Sequence, residues 1–320
     1  MTSNVLILSA GRRVSLVKAF QQAMIDLNLN SQVICADMNP TRAAACHIAD
    51  SQITLPHCLA DNYISSLLSH CIAHNIAMVI PTIDTELKTL AHHKAMFAEK
   101  GITLVVSDIK LVTQCRDKRL TNALFREIGF PVPECYSLTE IKFPCFAKPI
   151  SGSLSQDIRI LASQNELDTW NVDHNAMMFM EIVPYTEFDE FTIDIYFDSS
   201  GQLKCIVPRQ RLEVRGGEVS KALTVKSLVT LIKPVMEKIQ GAFGCLTLQV
   251  FKHKSTDALF GIEINPRFGG GFPLSNLAGA KYPQWLIEDV ILNQNRAYFD
   301  EWKDQLMMLR FDGEVIVDCT

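Results

Sequence analysis

The chain has 320 residues, of which 48% are hydrophobic and 20% charged, with a formal net charge of -5. That balance supports sizeable cores, and the length predicts two or three packed units rather than one. It excludes a disordered chain and offers no electrostatic attraction to nucleic acid or to an anionic membrane.

The ten cysteines show no metal-type spacing and no C-x-x-C pair. Several (Cys35, Cys145, Cys205, Cys245) sit inside apolar runs, which reads as buried free thiols in a reducing cytoplasm. The apolar run at 5–8 precedes the basic pair Arg12-Arg13, the reverse of an export signal. No apolar stretch reaches the roughly 18 residues needed to span a bilayer.

Strand and helix patterns alternate through the first third. Strands are expected at 5–9, 32–36, 53–55, 78–80 and 103–106, and helices at 14–27, 63–74 and 86–100. Such alternation predicts a parallel sheet covered by helices, with ligand-facing loops at 10–13, 37–39 and 81–86. The pattern changes near Ser107. A helix is expected at 117–128, stopped by Gly129 and the break Pro131-Val132-Pro133. Strands at 143–149, 158–161 and 177–183 and a short helix at 166–170 then make a small α+β unit. Long alternating strands follow at 191–197 and 203–208, a helix at 223–243, paired strands at 246–251 and 259–265 with a polar turn at 254–257, and a helix at 285–292.

Three segments carry chemistry. In the first, Gln249 faces Glu263 and Asn265 if the two paired strands are neighbours. Residues two apart on a strand share a face, so three oxygen-bearing side chains converge. That set suits Mg²⁺, which takes few protein ligands and completes its shell with water and phosphate oxygens. Arg267 continues the alternation toward a phosphate held there, and the strand then runs into Gly269-Gly270-Gly271. A solvated strand end would account for Glu263 alone but not for the whole run. In the second segment, Lys148 ends a strand directly before a loop with Ser151, Gly152, Ser153 and Ser155, whose N–H and hydroxyl groups can meet phosphate oxygens. In the third, Glu181-Ile182-Val183 is followed by Pro184, an exposed hinge whose backbone can pair with a base edge, and Glu190 opens the next strand.

In this order and setting, the three segments resemble the ATP-grasp superfamily over essentially the whole chain. The similarity is strongest to stand-alone proteins like the large subunit of carbamoyl phosphate synthetase, carried by residues 262–271 and by Ser275-Asn276-Leu277-Ala278-Gly279-Ala280. The resemblance implies an α/β and α+β architecture: a Rossmann-like pre-ATP-grasp domain at 1–107, a small lobe with its linker helix at 108–183, and a large lobe with the metal site at 184–320. It implies ATP with Mg²⁺, or Mn²⁺ in its place, as cofactors. Carried over by position, Lys118 meets phosphate at the lobe junction and Lys148 reaches the α- and β-phosphates. Ser151, Gly152, Ser153 and Ser155 belong to the loop that closes over the triphosphate. Glu181, Ile182 and Val183 read adenine, and Glu190 binds ribose. Gln249, Glu263 and Asn265 hold the metal, and Arg267 lies by the γ-phosphate. Two positions depart from the pattern. Asp157 stands where the loop usually has glycine, and the long stretch from Glu181 to Glu190 makes Glu187 an alternative ribose ligand.

The implied reaction joins a small-molecule carboxylate to an amine through an acyl phosphate, in a cytoplasmic enzyme that acts alone or as a homodimer. Positioning and charge neutralisation do this work without a protein nucleophile. Arg209, Arg211 and Arg215 are candidates to hold the acid or the acyl phosphate, with Arg211 taken as the catalytic member; a solvated basic edge is the plainer account of them. The loops 11–13 and 82–86 are candidates to face the same cleft. Two other readings are weighed. A non-catalytic ATP sensor is disfavoured by the joint presence of Lys148, Glu263, Asn265 and Arg267. A nicotinamide-dependent oxidoreductase is disfavoured because the turn Ala10-Gly11-Arg12-Arg13 lacks G-x-G-x-x-G.

Overall fold

The computed structural model describes residues 3–152 and 157–318. Its first unit alternates β1 (Asn4–Ile7), α1 (Val14–Asp26), β2 (Val33–Asp37), α2 (Ala44–Ile48), β3 (Ser51–Thr54), α3 (Tyr63–Ala73), β4 (Ile76–Ile80), α4 (Asp84–His92), α5 (Lys94–Ala98) and β5 (Thr103–Leu104). The strands form a parallel sheet in the order β3-β2-β1-β4-β5. β1 and β2 are buried along almost their whole length, as expected of strands covered on both faces. The order reverses direction between β1 and β4, so the crevice beyond their carboxyl ends lies between the loops after Ile7 and after Ile80. The helix expected at 86–100 is two helices, which meet at His93.

Two helices follow, α6 (Ile109–Arg116) and α7 (Lys118–Ile128). Asp117 separates them. Its extended backbone ends α6, and its carboxylate caps α7 by accepting from the Arg119 N–H. Gly129, at φ 83°, terminates α7 in the left-handed conformation that glycine adopts without a Cβ clash.

A four-stranded antiparallel sheet comes next, built from β6 (Cys135–Tyr136), β7 (Cys145–Pro149), β8 (Arg159–Leu161) and β9 (Met177–Met180), with α8 (Gln164–Thr169) in the connection to β9. Its order is β6-β9-β7-β8. The strand expected at 177–183 stops at Met180, and residues 181–184 are irregular.

The last sheet has six antiparallel strands: β10 (Phe188–Phe197), β11 (Leu203–Arg215), β12 (Glu218–Thr224), β13 (Gly244–His253), β14 (Leu259–Asn265) and β15 (Met307–Leu309). Among them lie α9 (Val229–Met236), α10 (Phe272–Leu277) and α11 (Tyr282–Val290). The order is β14-β13-β10-β11-β12-β15. The helix expected at 223–243 is corrected here: its start belongs to β12, and only Val229–Met236 is α-helical. Leu223 pairs with Gln210 on one side and with Met307 on the other, so long-range strand pairing overrides the local helical spacing.

One core joins the first unit to the last sheet. Val5, Val17 and Phe20 belong to the same buried cluster as Leu248, Ile264, Phe272 and Leu286. Phe20 of α1 meets Phe268 edge-on at 6.2 Å between ring centroids. This packing brings the carboxyl ends of β1 and β4 against the segment that follows β14. Among the described residues, no helix is long and apolar enough to cross a membrane.

Candidate functional site

β13 and β14 pair antiparallel, with Gln249 opposite Glu263 and Thr247 opposite Asn265. Gln249, Glu263 and Asn265 therefore come together at one end of the sheet, as the alternation predicts. Asn265 donates from Nδ2 to Glu263 Oε1 at 2.5 Å, which sets the two side chains next to each other. The donor set is one carboxylate and two amides, all with oxygen atoms to offer. That suits a hard divalent cation whose remaining ligands are phosphate and water. Turning the Asn265 amide by 180° would present its oxygen in place of the nitrogen.

Two lysines share the electrostatic field of Glu263. Lys148, in β7, is only 7% exposed. Burial pushes its ammonium down to about 8, Glu263 opposes that shift, and the charge of Lys118 adds to it. Lys118 opens α7, donates from Nζ to Gly152 O at 3.2 Å, and is itself lowered by burial against the opposing pull of Glu263. Two buried or half-buried cations beside one carboxylate are an incomplete charge arrangement, and a polyphosphate would complete it.

On the other flank, Glu190 of β10 pairs with Arg211 of β11 at 2.7 Å, with side-chain exposures of 21% and 11%. Burial raises the Glu190 carboxyl, Arg211 lowers it, and Glu263 raises it again. Glu187 is exposed, and its backbone lies in the turn with Pro184 and Lys254. Ile182 and Val183 occupy the irregular stretch between β9 and β10. Glu181 is fixed there by exchange with Glu134, whose N–H it meets with its carboxylate at 2.7 Å. Ser151 and Gly152 are exposed, with Gly152 at φ 134°. Ser153 and Ser155 lie outside the described residues. Asp157 adopts φ 55°, a left-handed conformation of the kind a glycine takes without strain.

Arg267 makes a two-pronged pair with Asp84, Nε to Oδ1 at 3.0 Å and Nη2 to Oδ2 at 2.7 Å. Asp84 opens α4 in the first unit, so the loop 82–86 does meet the end of β14. Sequence spacing offered no sign of this partner, because the two residues are 183 apart. Glu86 braces that loop. Its buried carboxylate accepts from the Thr82 and Ile83 N–H groups and from Ser9 Oγ, and burial pushes it up to about 7.

The three arginines of β11 have three different settings. Arg211 lies beside Glu190. Arg215 pairs at the exposed end of the strand with Glu213 at 2.7 Å. Arg209 is fully buried, paired with Asp194 at 2.8 Å, so it is neither a solvated edge nor within reach of a substrate. The expectation that it could hold the acid is corrected by that burial.

Residues 5–105 match the family model of PylC-like N-terminal domains, and residues 173–313 match that of ATP-grasp proteins in the biosynthetic pathway with the Ter operon. No curated protein matches the sequence. The biotin carboxylase domain of Hydrogenobacter thermophilus 2-oxoglutarate carboxylase, crystallised as a dimer with MgADP, ADP and bicarbonate, superposes with TM-score 0.74 at 16% identity, covering 96% of this chain and 73% of that one. Campylobacter jejuni biotin carboxylase, in an ATP complex, gives TM-score 0.72 at 14% identity over 96% of this chain and 74% of its own. Staphylococcus aureus N5-carboxyaminoimidazole synthetase, complexed with ADP, gives 0.69 at 13% identity over 92% and 78%. The fold is that of the ATP-grasp enzymes. With the two family matches, this chain is an ATP-grasp protein.

Proposed function

We propose that this chain is an ATP- and Mg²⁺-dependent ligase that joins a small carboxylic acid to an amine through an acyl phosphate. The observation that carries the reading is the strand register that sets Gln249 opposite Glu263 with Asn265 bonded to it, together with the buried Lys148 and with Lys118 on Gly152 O. The crystallised ATP-grasp neighbours that hold ADP, MgADP or an ATP complex support it.

Gln249, Glu263 and Asn265 would hold Mg²⁺, which when bound neutralises phosphate charge during transfer. Lys148 and Lys118 hold the phosphate chain, Ile182 and Val183 present backbone groups to the base, and Glu190 accepts from the ribose. A carboxylate oxygen of the acid forms a bond to the γ-phosphorus as the bond to the bridging oxygen breaks, and ADP leaves. The amine nitrogen then bonds to the acyl carbon, the carbon–oxygen bond to phosphate breaks, and the nitrogen gives up a proton. Arg267 stabilises the charge that develops on the transferred group, and Asp84 holds its guanidinium in place.

The test is a screen of amino acids, hydroxy acids and uronic acids, each with and without amine acceptors, for ADP release from MgATP. An acid-dependent signal that Glu263→Gln abolishes supports the reading. Binding of MgATP with no turnover on any acid–amine pair would favour a nucleotide sensor.

A further inference from the structure

Beside Arg267 lies a second group of arginines that the nucleotide does not require. Arg13 ends the loop after β1, and its Nη2 donates to Thr82 O at 3.2 Å. Among the described residues, that is the one acceptor of its guanidinium. Arg310, just beyond β15, pairs with Glu218 at 2.7 Å and donates to Gly270 O. Arg12 pairs with the other oxygen of Glu218 at 3.0 Å. A Cβ built on Gly270 would lie 3.8 Å from Arg13 Nη1 and 3.8 Å from Glu218 Oε2, so the guanidinium and the carboxylate flank the same backbone position, three residues after Arg267.

The charges do not balance. Arg13, Arg267 and Arg310 bring three positive charges, and Glu218 and Asp84 bring two negative ones, leaving a surplus of one; Arg12, 87% exposed, is balanced by solvent. Guanidinium groups keep their protons near neutral pH, so an anion must supply the balance. Burial, followed by the like charge of Arg267, already pushes Arg13 down to about 10. Glu218 is divided between two arginines and is 44% exposed, so its side chain can swing into solvent at little cost. Arg267 has Asp84 and Arg310 has Glu218, so the unmatched charge is that of Arg13, whose guanidinium meets only a carbonyl oxygen among the described residues.

We propose that Arg13 and Arg310 form the binding site for the carboxylate of the acceptor acid, and that Glu218 occupies this site as an internal competitor until the acid displaces it. The proposal rests on the ligase reading for the word acceptor. The anion site itself does not depend on nucleotide binding. In it the first unit supplies a specificity residue, Arg13, and the last sheet supplies both the second arginine and the competing carboxylate.

The test is calorimetric titration of the full chain with succinate and, separately, with inorganic phosphate, in the absence of nucleotide, alongside a titration with MgATP. Arg13→Ala and Arg310→Ala are each expected to weaken succinate binding at least about tenfold, the loss of one charge-assisted pair. Glu218→Gln is expected to tighten it about fivefold, a direction that structural damage does not produce. Arg13→Lys, which keeps the charge and loses the fork, should fall between wild type and Arg13→Ala and covers the case of an unstable alanine variant. The proposal is overturned if wild type binds no succinate, if the arginine variants bind it as wild type does, if Glu218→Gln binds it more weakly, or if phosphate is the tighter ligand at Arg13. Failure to bind MgATP would remove the ligase reading while leaving the succinate result to decide this one.

Discussion

Arg209 with Asp194 and Arg267 with Asp84 are both two-pronged guanidinium–carboxylate pairs with contacts between 2.7 and 3.0 Å. Their surroundings differ. The first is fully buried within the last sheet, where Asp194 also accepts from Ser275 Oγ at 2.6 Å and Arg209 Nη1 fills the space that a Cβ at Gly271 would need. The second keeps exposures of 16% and 14%, joins two units of the chain, and stands at the end of the strand that carries Glu263 and Asn265. Where water and ligand are excluded, an ion pair fixes structure. Where one face stays open, the proposed role of the same pair is to hold a cation for an incoming charge.

The comparison breaks most sharply under alanine substitution. Arg209→Ala leaves Asp194 buried and uncompensated, and is expected to remove about 3–5 kcal/mol of unfolding free energy, read by denaturant titration. Arg267→Ala is expected to cost about 1–3 kcal/mol in the same titration, less than Arg209→Ala because its pair keeps some exposure, and to lower turnover on the acid–amine pair by about 10²–10³. If the two variants lose stability equally, the proposed division of roles fails.

A smaller effect separates two adjacent glycines. A Cβ at Gly271 would fall 2.1 Å from Arg209 Nη1 and 2.9 Å from a methyl of Val219. Gly271→Ala is therefore expected to cost about 1–3 kcal/mol. Gly270→Ala meets nothing closer than 3.8 Å and should change stability by about 0.5 kcal/mol or less, read by the same titration.

The pH dependence of two buried groups sharpens the contrast between brace and site. Lys148 has its pKa lowered to about 8, so it loses its proton from the folded protein as pH rises through that value. The unfolded chain keeps that proton to higher pH, so this group makes stability rise between about 8 and 10.5. Affinity for MgATP, which needs the ammonium, should fall over the same range. Lys148→Arg should hold its affinity flat there, as measured by titration calorimetry. Glu86 has its pKa raised to about 7, so the folded state holds its proton more tightly than the unfolded chain does. Its contribution to stability is present below about 4.5 and is lost as pH rises through 7. Glu86→Gln should therefore show a smaller fall in melting temperature across that window than wild type.

The site was legible in the sequence where its geometry is local. Glu263 and Asn265 share a face because strands repeat every two residues, and Gln249 followed from pairing two strands joined by a short polar turn; Arg267 does not continue the alternation, because β14 ends at Asn265 and the Arg267 N–H turns back onto Asn265 O. Asp84 was not legible as the partner of Arg267, nor Glu218 as the partner of Arg12 and Arg310, because those contacts are closed by packing of the first unit on the last sheet. Arg209 shows the opposite limit. Its burial against Asp194 is set by the sheet and by α10 and α11, and the sequence presents it only as one of three basic residues near a strand end. The strand hidden at 218–224 was read partly as helix because the apolar residues after Leu223 suit either period, and its hydrogen-bond partners lie far along the chain.

The central claim, that Lys148, Glu263 and their neighbours form an MgATP cleft, is tested most directly by thermal unfolding with nucleotide. MgATP at 100 times its Kd should add about 2.7 kcal/mol to wild type, with little effect on Glu263→Ala or Lys148→Ala and none from NADH. Stabilisation of wild type by NADH and not by MgATP would contradict it.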